Sequence, residues 1–146
     1  MIRIEHRASL PYPPATVFQV LTDFAGYPSW QYDVAWARLE GSEAARGATV
    51  RQSRKFMNSK IETTLVITEF EPDTALALRT ESGGGKLLVH QSYRVAADAE
   101  GSRVELVHEM DGLTRVSERY FRPALAGHAQ RLFERLAAVM AGHPAG

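Results

Sequence analysis

The amino-acid sequence predicts one α+β domain, a curved antiparallel sheet of about six to seven strands wrapped around a long C-terminal helix, with two short helices after the first strand. Three observations carry the prediction. Apolar residues alternate with a period of two over residues 2–10 and again from about residue 34 to residue 112. Short turn signals separate these segments, so neighbouring strands run antiparallel. A period of three and four residues occurs in one long stretch, near the C-terminus. A bent sheet folding around that helix is the economical way to cover the apolar face of each.

In residues 2–10, Ile2, Ile4, His6, Ala8 and Leu10 share one face, with Arg3, Glu5, Arg7 and Ser9 on the other. Pro11, Pro13 and Pro14 end this strand, because proline cannot donate to a ladder. Pro14 suits the first turn of a helix, where its missing N–H is not needed. A short helix through Val17, Phe18 and Leu21 comes next, then a second turn or helix from Phe24 to Trp30. Strand 49–56 sets Val50, Gln52, Arg54 and Phe56 against Thr49, Arg51, Ser53 and Lys55. Strand 61–70 sets Ile61, Thr63, Leu65 and Ile67 against Glu62, Thr64, Val66 and Thr68. Glu71-Pro72-Asp73 turns the chain, and Leu76 and Leu78 begin the next strand. Gly83-Gly84-Gly85 forms a hairpin, since glycine accepts positive φ without steric cost. Leu87, Val89, Gln91, Tyr93 and Val95 share one face of the next strand; after a turn at Asp98 to Gly101, so do Val104, Leu106, His108 and Met110.

The period then changes. Phe121, Leu125, His128, Leu132, Leu136 and Val139 make one apolar stripe on a helix from about 117 to 141, opposite Arg119, Arg122, Gln130 and Glu134. Pro123 within it predicts a later start or a kink, and Gly142 and Pro144 stop it.

Composition removes several function classes. The 146 residues suit one domain with a real core, 45% of them hydrophobic and 23% charged. Seventeen basic residues balance seventeen acidic ones, so no net field concentrates nucleic acid or anionic lipid, and no nucleic-acid partner is expected. No apolar run spans a bilayer, so stable membrane insertion is not expected either. The N-terminus alternates charge and bulk, unlike a signal peptide, which makes a cytoplasmic location the default expectation. The chain contains no cysteine, hence no thiolate nucleophile or thiolate metal site. Its five histidines show no His-x-His or His-Glu-x-x-His spacing, and neither a nucleophile elbow nor a phosphate or dinucleotide fingerprint is present. No metal and no cofactor is therefore expected. Gly83-Gly84-Gly85-Lys86 lies between strands and lacks the following helix that phosphate binding needs. His108 and Glu109, adjacent on a strand, face opposite sides.

The run Pro14, Val17, Phe18, Leu21, Asp23, Tyr27, Pro28 and Trp30, with Gly47 after the next strand, resembles the polyketide cyclase/dehydrase-like branch of the START-like (SRPBCC) superfamily. Glu69-Phe70-Glu71-Pro72 and Gly101-Ser102-Arg103-Val104 are similar to two further landmarks of that family, and with the C-terminal helix the resemblance spans residues 1–146 as a single domain. It implies the helix-grip fold of the birch-pollen allergen, pairing of the first and last strands, a corner packed by Trp30, and a cavity between sheet and long helix. Members bind lipids, quinones, polyketides or plant hormones, and only some are enzymes, so the resemblance names no ligand.

Polar residues on the apolar faces point the same way. His6, Gln52, Arg54, Thr63, Gln91, Tyr93 and His108, with His128 on the helix stripe, would each cost roughly 1–3 kcal/mol if buried without a partner. A hydrated or ligand-filled cavity satisfies several of them where a solid core would not. The candidate cavity wall is completed by Trp36, Phe56, Leu65, Leu78, Leu106, Leu125 and Leu132, each of which core packing explains equally well. Arg54 either anchors a ligand oxygen through its forked donors, or reaches solvent near a strand end, or pairs with Glu69 or Glu62. His6 and His108, on adjacent strands if first and last strands pair, form either a proton relay or two satisfied core histidines. Tyr93 is a cavity donor or a packed aromatic.

Three functions fit these residues. The first is binding or transport of a small hydrophobic ligand by a monomer or homodimer. The second is a polyketide aromatase/cyclase or dehydratase in which Arg54 stabilises an enolate and a histidine or Tyr93 moves protons. The third is a toxin-like protein-interaction module, for which an extensive exposed apolar patch would speak.

Overall fold

A computed structural model describes residues 1–56 and 58–142, with Phe56 described by its backbone only. Seven strands and two α-helices occur in the order β1 (Ile2–Leu10), α1 (Pro14–Leu21), a 3-10 helix (Phe24–Ser29), β2 (Val34–Glu40), β3 (Thr49–Phe56), β4 (Ser59–Glu71), β5 (Ala75–Gly83), β6 (Leu88–Asp98), β7 (Gly101–Asp111) and α2 (Arg115–Gly142). The sheet is antiparallel throughout, in the order β1-β7-β6-β5-β4-β3-β2. From β2 to β7 each strand pairs with the next in the chain; the β1–β7 pairing brings the first and last strands side by side, as the family pattern implies.

The inward face is layered by register. One cross-strand row holds His6, Leu106, Tyr93 and Leu76; the next holds Ile4, His108, Gln91 and Leu78. The C-terminal half of α2 covers the first of these rows with Leu132, Phe133 and Leu136, all buried, and His6 stacks on the Phe133 ring at 5.1 Å. An aromatic chain fills the corner between the short helices and the sheet. Phe24, Tyr27, Trp30 and Tyr93 meet edge to face, and the Tyr27 hydroxyl donates to the Leu21 carbonyl at 2.6 Å. Such edge-on contacts add to the area they bury.

Helix α2 starts at Arg115, two residues before the expected position, because Thr114 caps it: the Ser117 N–H donates to Thr114 Oγ1 at 3.1 Å. The helix passes through Pro123 unbroken. Proline there removes the N–H that would bond the Arg119 carbonyl, but Arg119 and Pro123 are both exposed, where the loss of that bond costs least. None of the residues from Arg115 to His128 is fully buried, whereas Ala129, Leu132, Phe133, Leu136 and Met140 are. The half of the helix nearest its start thus spans space and the other half grips the sheet. Pro144, expected to stop it, lies outside the described residues.

The loop joining β7 to α2 depends on Gly112. Its φ is +94°, and a Cβ there would lie 1.9 Å from the Lys86 carbonyl oxygen. Gly112→Ala is expected to lower the unfolding free energy by about 2–3 kcal/mol in urea titration, combining a left-handed backbone with a backbone clash. A change under about 0.5 kcal/mol would show that this loop and the β5–β6 turn separate freely at this point.

Candidate functional site

A cavity of about 760 Å³ lies between the concave sheet and the less buried half of α2. Gln52 and Arg54 reach it from β3, Thr63 and Leu65 from β4, Leu78 from β5, Gln91 from β6 and His108 from β7. Leu125 and His128 close it from the helix, with Tyr120, Phe121 and Ala124. Its inner end is the Leu78–Gln91–His108 row. Its outer end runs out past Leu87, Gly84 and Asn58, at the tips of the β5–β6 and β3–β4 hairpins.

Five candidate residues are placed elsewhere. Tyr93, Leu106 and His6 belong to the row one step deeper, where Trp30 and the gripping half of α2 fill the space; Leu132 is part of that filling. Trp36 is turned by a bulge: between Val34 and Trp36 the β2–β3 register shifts, so Ala37 and Leu39 face inward. Trp36 lies on the other face, half-buried, with the Arg38 guanidinium 5.3 Å from its ring centroid. The side chain of Phe56 lies outside the described residues.

The ion pair of Arg54 also differs from the expected ones. Its Nη1 donates to Asp33 at 2.9 Å and its Nη2 to the Gln31 side-chain oxygen at 2.8 Å. Glu62 pairs in register with Ser53 on the opposite face, and Glu69 is engaged by Arg94 at 3.1 Å. Asp33 and Tyr32, both in the cavity wall, come from the loop before β2, and no strand or helix period marks them. The only sequence signal was an acid and an amide close after the corner Trp30.

Tyr32 connects this group to α2. Arg131 donates to the Tyr32 oxygen at 3.0 Å, and Tyr32 lies 2.8 Å from His128 Nδ1. Arginine can only donate, so the Tyr32 hydroxyl proton is directed at Nδ1. A neutral His128 then carries its proton on Nε2, 4.0 Å from Asp33 Oδ1. His6 and His108 form no pair: in the β1–β7 register His6 opposes Leu106, and His108 opposes Ile4.

Burial governs the titration of these groups. The His108 pKa is pushed down to about 3, first by burial and then by the positive charges of Arg54 and His128, against the pull of Asp33. His128 is lowered mainly by burial, with Asp33 opposing and Arg54 and Arg131 adding to the shift. Tyr93 is pushed up to about 12 by burial, partly offset by Arg54. At neutral pH this group therefore presents one balanced ion pair, two neutral imidazoles, His108 and His128, and the amides of Gln52 and Gln91. Three buried atoms in this wall, Asp33 Oδ1, Arg54 Nε and His108 Nε2, have no hydrogen-bond partner among the described residues. Behind them, Trp30 Nε1, Gln31 Nε2 and the Tyr93 hydroxyl are in the same condition. Among the described residues no group of three histidines or carboxylates is placed to hold a metal ion, and no helix is long and apolar enough to cross a membrane.

This combination, a seven-stranded sheet gripped by a C-terminal helix around an internal cavity, is the helix-grip architecture of the START-like (SRPBCC) superfamily. The chain belongs to the family described as polyketide cyclase / dehydrase and lipid transport, whose model matches residues 1–141. Solved structures share the fold at low identity. TTHA0849 from Thermus thermophilus is 17% identical, with a TM-score of 0.78 over 97% of this chain and 99% of that one. A START superfamily protein from Mycobacterium smegmatis is 9% identical, with a TM-score of 0.80 over 93% of this chain and 94% of that one. The di-domain ARO/CYC StfQ from the steffimycin biosynthetic pathway is 13% identical, with a TM-score of 0.75 over 94% of this chain and 50% of that one. No curated protein matches the sequence.

Proposed function

We propose that the protein binds a small hydrophobic ligand in this cavity, its apolar body against Leu65, Leu78, Leu87 and Leu125 and an oxygen-bearing end at Arg54, Asp33 and His108. The observation that carries the reading is the set of three unpartnered polar atoms at the inner end of a mostly apolar space. Each would cost roughly 1–3 kcal/mol in a closed core, and a ligand with acceptor and donor oxygens can engage them. The volume of about 760 Å³ lies within the range usual for small-molecule sites. Because Arg54 is neutralised by Asp33, the site favours a neutral carbonyl or hydroxyl compound over a free carboxylate.

Arg54 and His108 share one wall, which keeps a cyclase-type reaction as the second reading. The low His108 pKa weighs against it, since so weak a base transfers protons inefficiently near neutral pH. Native mass spectrometry of the freshly purified chain is expected to show a co-purifying neutral small molecule, unchanged in composition. Ala124→Trp, which adds bulk to the cavity wall from an exposed helix position, is expected to weaken binding of that molecule at least about tenfold, equivalent to 1.4 kcal/mol. Wild-type affinity in that variant would put the ligand elsewhere, and chemical conversion of the bound molecule would favour the enzyme.

A further inference from the structure

The end of the molecule where the cavity opens has a surface unlike the rest. The antiparallel registers bring together there the start of β1, the β3–β4 and β5–β6 hairpin tips, and the start of α2. Four of the five large apolar side chains exposed among the described residues lie at this end: Met1 (60% exposed), Leu88 (54%), Val116 (81%) and Tyr120 (76%). The N-terminal amine of Met1 pairs with Glu118 in the first turn of α2, which fixes the first of these at the start of that helix.

Charge shows the same division. The chain has three lysines, and all three are here: Lys55 and Lys60 on the β3–β4 hairpin, Lys86 on the β5–β6 turn. Arg115 and Arg119 add two more exposed cations from α2. None of these five makes an ion pair among the described residues. Lys55 and Lys60 are directly opposed in register, an arrangement of like charges that disfavours the hairpin unless an outside anion answers it. Glu62, Glu81 and Asp111 are the exposed acids at this end, fewer than the cations, and Glu118 is taken by the terminal amine. The turns at the opposite end carry Glu43, Glu71, Asp73 and Glu100, with Arg46 among them. A neutral chain is thus polarised along the cavity axis.

We propose that this end docks on an anionic lipid bilayer, with Met1, Leu88, Val116 and Tyr120 entering the interface and the lysines and arginines meeting the headgroups. Peripheral binding of this kind needs both signals, since a few apolar side chains or a few cations alone hold weakly. The docked orientation points the cavity mouth at the acyl region, so an apolar ligand passes between bilayer and cavity without crossing water. A second protein is the weaker match: isolated apolar side chains interleaved with free lysines lack the charge-depleted centre of a protein interface.

The test is co-sedimentation of the full chain with phosphatidylcholine vesicles, with and without phosphatidylglycerol. Binding is expected only with phosphatidylglycerol, and it should fall as salt is added. Lys60→Gln/Lys86→Gln should weaken it about 25-fold, roughly fivefold for each cation lost at an anionic surface. Leu88→Ser/Val116→Ser should weaken it at least about tenfold through lost apolar burial. None of these four residues lines the cavity, so ligand binding in free solution is measured on the same variants and reports on the cavity separately. Equal binding to both vesicle types, indifference to the lysine substitutions, or self-association of the chain without vesicle binding would each overturn the proposal.

Discussion

Arg54→Met is expected to lower the unfolding free energy by about 3–4 kcal/mol, the largest effect of any single substitution in the cavity wall. The guanidinium holds Asp33 and the Gln31 side chain at once, and both members of the ion pair are largely buried, with side-chain exposures of 18% and 14%. Removing the cation leaves a carboxylate that already has one oxygen without a hydrogen bond. The cost is that of an uncompensated buried charge, which exceeds the net worth of the pair. Asp33→Asn in the same chain should therefore restore about half of the loss, and a double-mutant cycle in urea measures it. Additive losses would mean that the two groups are held independently by solvent. Ligand affinity should fall in Arg54→Met and in the double variant alike, because the Arg54 Nε donor is absent from each.

The second large effect is a loss of stability in mild acid that depends on His108. Its pKa in the folded protein is about 3, against about 6.5 for an unperturbed histidine. Above about pH 6.5 the ring is neutral whether the chain is folded or not. Below that, the unfolded chain takes up a proton that the folded chain refuses, so stability present above the unfolded value is lost as pH falls toward the folded one. The slope is about 1.4 kcal/mol per pH unit, or about 2 kcal/mol at pH 5. His128, also lowered, adds in the same direction. His108→Gln keeps a polar side chain without this titration, so its stability should decline less than wild type between pH 7.5 and pH 5, by about 2 kcal/mol. Parallel profiles for the two chains would mean that His108 is already protonated, or reached by solvent, in the folded protein.

Both predictions depend on which row of the sheet a residue occupies, and there the sequence was ambiguous. His108 and Leu106 are two residues apart on the same face of β7, as are Gln91 and Tyr93 on β6. Alternation places all four inward and ranks none of them. What separates them is α2, whose buried half covers the Leu106–Tyr93 row and whose more exposed half arches over the His108–Gln91 row. Trp36 was displaced by a local irregularity: one bulge in β2 reverses the face of the residues after it, and a simple period of two does not reveal it. The partner of Arg54 was hidden for another reason. Asp33 lies 21 residues earlier in a loop, and only the β2–β3 pairing brings the two together.

By itself the sequence determined the elements, their antiparallel order, the single long gripping helix, the family and the inward polar inventory. The family, and with it the pairing of first and last strands, comes from the resemblance of its landmark residues; the others come from local chemistry: side-chain periodicity, turn residues, and the cost of burying a group without a partner. Tertiary structure alone decided where the filled core stops and the cavity begins, that Asp33 rather than Glu62 or Glu69 neutralises Arg54, and that the free lysines and the exposed apolar residues gather at the mouth. These are relations between segments far apart in the chain, and packing and register set them.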